Sequence, residues 1–421
     1  MDAPKHLALI LILCGMPAAA VAQDDPPQTT TAPQPTTTAP QTTTAVDPKP
    51  TMEIYGFTML DMGYSFEQIN PNWFDTMRVT RLPAFHHEFG EDGSFWAGVR
   101  QTRFGVKTSK ETPLGKLTTI FEFEMFGVGV DEGQTTFRLR HAWGTLGDWG
   151  AGQYWTVFGD VDAFPNQLEY WGPTGLVWFR NVQLRYTPHQ LGGHLQVAVE
   201  RPGASGDGGR FADRIELQNV QGRNVAPDLT AAYKWGAYDW GYFRVAGAWR
   251  KLKWDDLLAD RFDLAGGDTG WGVNLSSNVN FGKDVLRLQY IFGKGVENYM
   301  NDAPIDVGVA LNIRDPVRPL VGEALPVRGL SAFLDRKWND KWTSAVGYSR
   351  EDIDNSDGQA GAAFHVGQYA LGNLLYYPVP DVMVGGELQW GQRQNFSDGF
   401  QSDGWTLQFG FRFNFSWKLG Q

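Results

Sequence analysis

The chain has 421 residues, and its 47 acidic and 36 basic side chains give a formal charge of -11. This acidic balance argues against nucleic-acid binding, because nucleic-acid-binding proteins usually present a basic face. The single cysteine, Cys14, lies within a leader that we expect to be removed. We therefore expect a mature protein without disulfides, thiol chemistry or cysteine-bound metal.

The first 22 residues are typical of a secretory signal peptide. Lys5 precedes an apolar run from Leu7 to Leu13, and the run Ala20 to Ala22 forms an A-x-A cleavage site. A membrane helix is the alternative, but the apolar run is too short to cross a bilayer. We predict export of the chain, with cleavage after Ala22.

Residues 23–50 have a different composition from the rest of the chain. The part from Thr29 to Ala45 is almost entirely Thr, Pro, Ala and Gln. Such a composition cannot bury a core, so we predict a disordered or polyproline-like linker. The linker is either a tail without a partner or a spacer that reaches peptidoglycan or another envelope protein.

Residues 51–421 predict an all-β domain, a transmembrane antiparallel up-and-down β-barrel of about sixteen strands. Short turns alternate with long, polar or acidic loops, which is typical of a barrel with periplasmic turns and extracellular loops. The predicted strands lie near residues 52–64, 94–108, 115–127, 135–146, 149–158, 178–187, 193–201, 228–236, 240–252, 268–281, 284–295, 324–338, 341–350, 364–377, 382–393 and 404–419.

The last strand carries the clearest pattern. From Trp405 to Leu419 every odd position is apolar, and from Thr406 to Lys418 every even position is polar or small. A period of two places these sets on opposite faces of a strand. The apolar face is long enough to cross a bilayer when tilted, and aromatic residues at both ends suit the two membrane interfaces.

The same alternation predicts which side chains line the lumen. If Phe137, Leu139 and Trp143 face lipid, Arg138 and Arg140 face inward. A charge on the lipid face costs ~2–4 kcal/mol at mid-bilayer, so the inward assignment is favoured. Applied strand by strand, the rule predicts these pore-lining residues: Arg103, Lys107, Glu122, Glu124, Arg138, Arg140, Arg185, Arg244, Arg287, Arg393 and Arg412.

Most of these predicted lumen residues are arginines. A guanidinium keeps its charge and presents a planar fork that matches a carboxylate. A ladder of such groups would favour anions in a water-filled path. The alternative is that the arginines only pair with Glu122, Glu124, Glu387 and other partners across the wall. Glu122 and Glu124 lie one strand from Arg138 and Arg140.

The third long loop, from Gly159 to Val177, is too apolar to be wholly solvated. We predict that it folds into the lumen, with its apolar side against the wall and its carboxylates toward water. Packing at a subunit interface is the alternative. The predicted constriction residues are Asp160, Asp162, Glu169, Tyr170 and Trp171.

Five longer runs are distinctive: Val99–Thr108, Phe137–Gly144, Ala151–Asp160, Trp171–Pro188 and Asn373–Arg393. In sequence and order they resemble the DcaP-like outer-membrane porins, a branch of the trimeric porins of Gram-negative bacteria, and the resemblance covers most of residues 52–419. This resemblance implies a sixteen-stranded homotrimeric barrel in the outer membrane, an inward third loop and uptake of small anionic solutes such as dicarboxylates.

We therefore predict a passive diffusion channel, without enzymatic activity, cofactor or metal. A barrel-borne hydrolase is one alternative, but it needs Ser–His–acid or Asp–His groups together near one rim. His86 and His87 beside Glu88 are more typical of a solvated loop or a loose metal site. An envelope-tethering or adhesive barrel is the other alternative. The expected partners are two identical subunits, outer-membrane lipid and lipopolysaccharide, small anionic solutes and, through the linker, peptidoglycan.

Overall fold

The structure, a computed structural model, describes residues 49–192 and 194–420. The predicted signal peptide and nearly all of the predicted linker lie outside these residues. In the described part, no helix combines the length and apolar character needed to cross a membrane.

Sixteen antiparallel strands form one closed barrel, as the sequence predicted. Their bounds are β1 Thr51–Ser65, β2 Ser94–Gly98 continued by Arg103–Thr112, β3 Gly115–Phe126, β4 Thr135–Leu146, β5 Trp149–Trp155, β6 Arg180–Tyr186, β7 Leu195–Glu200, β8 Asp228–Tyr238, β9 Gly241–Asp256, β10 Gly266–Phe281, β11 Asp284–Lys294, β12 Pro326–Lys337, β13 Trp342–Ile353, β14 Phe364–Val379, β15 Val382–Asn395 and β16 Gln401–Leu419.

Each strand pairs with its neighbour in the chain, and β1 pairs with β16 to close the ring. Met52 lies opposite Leu419, and Ser65 lies opposite Thr406. Closure removes the free edges that an open sheet would present. The apolar face predicted for the last strand points outward, because Trp405, Phe409 and Phe413 are exposed.

Short turns and long loops alternate along the barrel. Turns such as 113–114, 147–148 and 282–283 join strands at one end. At the other end lie long loops, of which three recur below: L1 (66–93), L3 (156–179) and L6 (295–325). The loops also contain short strands, at Gly206–Asp207, Val220–Gly222, Val307–Leu311 and Leu320–Ala324.

Among the residues that the structure describes, helical structure is confined to single turns. The one α-helical turn described is Ile215–Gln218. The 3-10 turns are Pro71–Trp73, Val79–Arg81, Gly129–Asp131, Val161–Ala163, His189–Leu191, Gly209–Phe211 and Glu297–Tyr299.

β2 is interrupted at residues 99–102, where the sequence predicted a continuous strand. Arg100 is 1% exposed, and its Nη1 donates to Asp75 of L1 at 2.6 Å. Its Nη2 donates to the carbonyl of Gly127 at 3.1 Å. The buried ion pair therefore replaces ladder bonds at this point and ties L1 to the wall.

A β-bulge in β4 corrects one predicted orientation. Glu122 pairs with His141 and Phe123 pairs with Leu139, so Arg140 is the extra residue. An extra residue reverses the alternation beyond it. Trp143, predicted to face lipid, is consequently buried, 7% exposed, with its ring 5.3 Å from the Arg185 guanidinium. Arg138 and Arg140 precede the reversal and keep the orientation that was predicted for them.

Candidate functional site

Loop L3 is fixed to side chains of three distant parts of the barrel wall. The Leu168 N–H donates to Glu387 of β15 at 2.8 Å, and the Leu168 carbonyl accepts from Gln101 at 2.9 Å. Further along, the Val177 N–H donates to Gln289 of β11 at 2.8 Å. Wall side chains thus satisfy loop backbone groups that would otherwise require water.

Glu169 is the buried anchor of this loop. It is 2% exposed and accepts from the N–H groups of Trp171 at 2.9 Å, Met77 at 3.2 Å and Gly172. Burial raises the pKa of Glu169 to about 8, and these N–H donors oppose that rise. The carboxyl joins L3 to L1 through Met77.

Two of the predicted loop carboxylates bond to the wall, whereas we expected them to face water. Asp160 is 5% exposed and accepts from Tyr242 Oη at 2.8 Å and Ser276 Oγ at 2.5 Å. Asp162 is exposed but forms an ion pair with Lys234 at 2.8 Å. The wall supplies hydroxyl and ammonium donors at these positions, and alternation along L3 could not reveal them.

Four arginines surround two glutamates on the wall formed by β2, β3, β4 and β6. Arg140 binds both carboxylates, with Nε 2.7 Å from Glu122 and Nη1 2.5 Å from Glu124. Arg138 and Arg180 lie 3.5 and 3.4 Å from Glu124. Arg103 lies 3.8 Å from each carboxylate. We call these six residues the Arg140 cluster.

The Arg140 cluster can be compared with the alternative that the arginines only pair with glutamates. Arg140 is indeed paired with both glutamates. However, four guanidinium charges face two carboxylate charges, which leaves a formal surplus of two positive charges. Tyr170 of L3 completes the cluster by donating its hydroxyl to Glu124 and by stacking on Phe126 at 3.9 Å.

A cavity of about 570 Å³ lies between this wall, L3 and L6. The Glu124 side chain is fully buried and Glu122 is 9% exposed, whereas Arg103 and Arg138 are each 26% exposed. Glu169 is the one carboxylate among the residues that line the cavity. The lining arginines are Arg78, Arg103, Arg138, Arg140, Arg180 and Arg412.

The remaining predicted lumen residues do not join the Arg140 cluster. Each makes its own contacts along the wall: Lys107 with the Tyr55 ring at 4.4 Å, Arg185 with Gln183 at 3.0 Å, Arg244 with the Val157 carbonyl at 2.5 Å, Arg287 with Asp335 at 2.5 Å, Arg393 with the Thr80 carbonyl at 2.8 Å, and Arg412 with the Phe57 ring at 5.5 Å.

Sequence reasoning missed two of the cavity arginines. Arg180 has the parity of Val182 and Leu184, which face outward, but it is the first residue of β6 and is not held by a continuing strand. Arg78 lies in L1, where strand alternation says nothing. Its guanidinium lies 4.0 Å from the Trp73 ring and 4.2 Å from the Trp171 ring, and it pairs with Asp302 at 2.8 Å.

The histidines are dispersed over the barrel. His141 lies 3.9 Å from Glu122, His194 contacts the Lys234 carbonyl at 2.6 Å, and His365 contacts the Ile353 carbonyl at 2.8 Å. Within residues 49–192 and 194–420, no group of three His, Cys, Asp or Glu side chains could hold a metal ion.

Comparison with known proteins assigns the family. Residues 36–415 match the family described as DcaP outer membrane protein. No curated protein matches the chain.

Solved structures share the fold at low sequence identity. The outer membrane channel DcaP of Acinetobacter baumannii superposes with a TM-score of 0.72 at 20% identity, covering 86% of this chain and 97% of that one. An anion-selective porin from Comamonas acidovorans gives 0.56 at 10% identity, covering 87% and 100%. OmpF of Salmonella typhi, in complex with daunomycin, gives 0.51 at 12% identity, covering 86% and 97%. The chain belongs to the DcaP outer membrane protein family and is an outer-membrane porin of the DcaP type.

Proposed function

We propose that this porin lets small solutes diffuse passively across the outer membrane, with a preference for anions such as dicarboxylates. The observation that carries the proposal is the charge around the cavity, where six arginines and one carboxyl group line about 570 Å³. Guanidinium forks replace part of the hydration of a carboxylate, and a path of one charge sign concentrates ions of the other.

We infer that L3 narrows this path. Its bonds to Gln101 in the interruption of β2, Gln289 of β11 and Glu387 of β15 support a loop held across the lumen. Tyr170 and Trp171 then form the loop side of the constriction, and Tyr170 reaches the wall through its hydrogen bond to Glu124. A solute would pass beside this contact along the arginine-bearing wall, where Glu169 is the one carboxyl group among the described lining residues. Asp160 is held away by Tyr242 and Ser276.

The reversal potential in a planar bilayer under a potassium chloride gradient tests the anion preference. We expect a potential of the sign set by chloride at low salt, and an approach to zero at 1 M, where the Debye length is ~3 Å. Succinate should block the current at low salt. A cation-selective pore whose current ignores succinate would refute the proposal.

We further propose a homotrimer, because the strands in part of the barrel wall are too short to span the apolar layer of the membrane. β5, β6 and β7 contain 7, 7 and 6 residues. At ~3.3 Å per residue and a tilt of ~45°, seven residues span roughly 16 Å, less than the ~25 Å apolar band of such barrels. Exposed Trp149, Leu184 and Val197 on this wall would be covered by neighbouring subunits. Light scattering of detergent-extracted protein should give the mass of a trimer, and a monomer would contradict it.

The remaining partners follow from this placement. The rest of the outer apolar face would contact outer-membrane lipid and lipopolysaccharide. The 23–50 linker, exported behind a signal peptide, would reach peptidoglycan, since its composition favours an extended chain. Deletion of residues 24–50 should reduce co-sedimentation with isolated peptidoglycan, and unchanged co-sedimentation would rule out the tether. Passive diffusion requires no catalytic group, metal or cofactor.

A further inference from the structure

The cavity has aromatic side chains opposite its arginines. Phe164 and Trp178 of L3 stack with ring centroids 4.1 Å apart and an interplanar angle of 27°. Trp178 also lies 4.3 Å from Trp155 at the end of β5. All three rings line the cavity and are half-buried, so part of each ring faces it.

A second aromatic pair lies near Arg138. Tyr170 and Trp171 also line the cavity, and both are half-buried. The Trp171 indole N–H donates to the Asn301 carbonyl at 2.8 Å, which fixes the ring against L6. Aromatic rings therefore lie close to the charged wall at two places, near Arg180 and near Arg138.

These rings differ from the aromatic residues of the core. Phe126, Phe158 and Tyr299 have no exposed surface, as expected for side chains that stabilise by burial. Leaving the rings of Phe164 and Trp178 partly open to a polar cavity forfeits some of that burial. The loss has a function if a solute with an apolar, flat body covers the rings during passage.

The guanidinium groups and the aromatic rings lie close enough for one small solute to contact both. The Arg180 guanidinium is 5.3 Å from the Trp155 centroid, and the Arg138 guanidinium is 6.0 Å from the Trp171 centroid. The Arg103 and Arg138 side chains are each 26% exposed and line the cavity, so their guanidinium groups are accessible to a solute. Donors for a carboxylate and surfaces for a ring thus occur side by side.

We propose that this cavity binds aromatic carboxylates in preference to aliphatic carboxylates of equal charge and similar size. The inference rests on the anion-channel function proposed above and specifies the solute class. The carboxylate would bind at Arg138 and Arg180, while the ring stacks on Phe164 and Trp178. An aliphatic ring would gain the charge contact but not the stacking.

Single-channel block by benzoate and by cyclohexanecarboxylate tests the proposal. The two anions have the same charge and the same carbon count, and only benzoate is planar and aromatic. Aromatic pairs contribute beyond their buried area by an amount that corresponds to roughly 2- to 12-fold in residence time. In the wild-type trimer, benzoate should therefore block for about 3- to 10-fold longer at low salt.

Two variants locate the effect. In a Phe164→Leu/Trp178→Leu double variant, the ratio of the two residence times should fall to about 1. The reversal potential should still indicate anion selectivity, because the arginines remain. Trp271→Leu is the matched control, since Trp271 lies exposed on the outer face of β10. Its ratio should equal that of the wild type.

The outcomes separate this inference from the proposed function. A cation-selective wild type that neither anion blocks would overturn both. An anion-selective wild type with equal residence times for the two anions would overturn only the aromatic preference. A double variant that keeps the wild-type ratio would also overturn it. If the double variant fails to assemble, the wild-type comparison decides the matter alone.

Discussion

Arginine plays two different parts in this barrel, as a comparison of Arg140 with Arg250 illustrates. Arg250 of β9 has no exposed surface, and its donors reach Asp228 at 3.0 Å, Asp306 at 2.8 Å and the Gly295 carbonyl at 2.7 Å. There, one guanidinium meets two carboxylates. In the Arg140 cluster, four guanidiniums meet two carboxylates beside a cavity.

The difference lies in what each charge has left to bind. Arg250 joins β8, β9 and L6, and Tyr299 adds a further hydrogen bond to Asp228 at 2.9 Å. Its charge is neutralised by carboxylates of the protein, so it stabilises the contact between L6 and the wall. The Arg140 cluster has more positive charge than its carboxylates neutralise, and under the proposed function this surplus would attract a passing anion. The same residue type would then support structure in one place and transport in the other.

Removing Arg250 should have the largest effect on stability. Arg250→Met leaves Asp228 and Asp306 buried without their partner, and breaking a buried ion pair in this way costs about 3–5 kcal/mol. Urea unfolding, followed by the loss of heat-modifiable mobility on gels, measures the change. Arg138→Gln is the control, because a partly exposed arginine at 3.5 Å should cost about 1 kcal/mol or less. Equal midpoints for the two variants would contradict the contrast.

Glu297 of L6 should give the stability of the folded protein a pH dependence of intermediate size. Burial, and then the charge of Asp306, raise the pKa of Glu297 well above its ordinary value of 4.5. The unfolded chain loses this proton near 4.5 while the folded chain keeps it. Stability should therefore fall as pH rises from about 5, by at most about 1.4 kcal/mol per unit, until the folded carboxyl ionises.

Glu297→Gln should remove this slope. Urea midpoints at pH 5, 7 and 9 compare the variant with the wild type, and the variant should gain relative stability as pH rises. Glu91→Gln serves as the control, since Glu91 is exposed in L1. Parallel curves for wild type and Glu297→Gln would show that the carboxyl is ionised in the folded protein.

Neutralising Arg138 and Arg140 should change selectivity while the barrel still assembles, because Arg103 and Arg180 continue to face the two glutamates. Arg138→Gln/Arg140→Gln leaves two arginines facing Glu122 and Glu124, so the formal surplus disappears. We expect the anion-to-cation permeability ratio to fall toward 1, and the trimer to persist. Reversal potential measures the change, with Arg328→Gln as the control because Arg328 is largely exposed and pairs with Asp354 at 3.7 Å. An unchanged ratio would mean that Arg78 or Arg412 sets the selectivity instead.

The sequence predicted most of the barrel because alternation is a local property. All sixteen strands overlap the predicted ranges, although β2 is interrupted, and Arg103, Arg138 and Arg140 come together beside Glu122 and Glu124. Alternation fails where a strand is irregular or ends. The bulge at Arg140 turns the Trp143 side chain away from the lipid face. Arg180 is the first residue of β6 and lines the cavity, although its position in the alternation predicts the outer face.

Loop partners could not be predicted in the same way. Asp160, Glu169 and Arg78 are bonded by groups from L1, L6 and distant strands. Such contacts depend on how loops fold across the barrel, which residue spacing does not encode. The aromatic residues of L3 did signal that the loop is not solvated, yet not which wall they face.

The pairing of β1 with β16 also determines how the chain must fold. Met52 and Leu419 lie near opposite ends of the described chain, so this ladder has the highest contact order in the protein. The entropy lost in closing so long a loop makes these contacts slow to form. They become favourable only when nearly the whole chain has folded. Until then both terminal strands are open templates for pairing with another chain. Truncation of β16 should therefore leave an aggregation-prone sheet rather than a smaller pore.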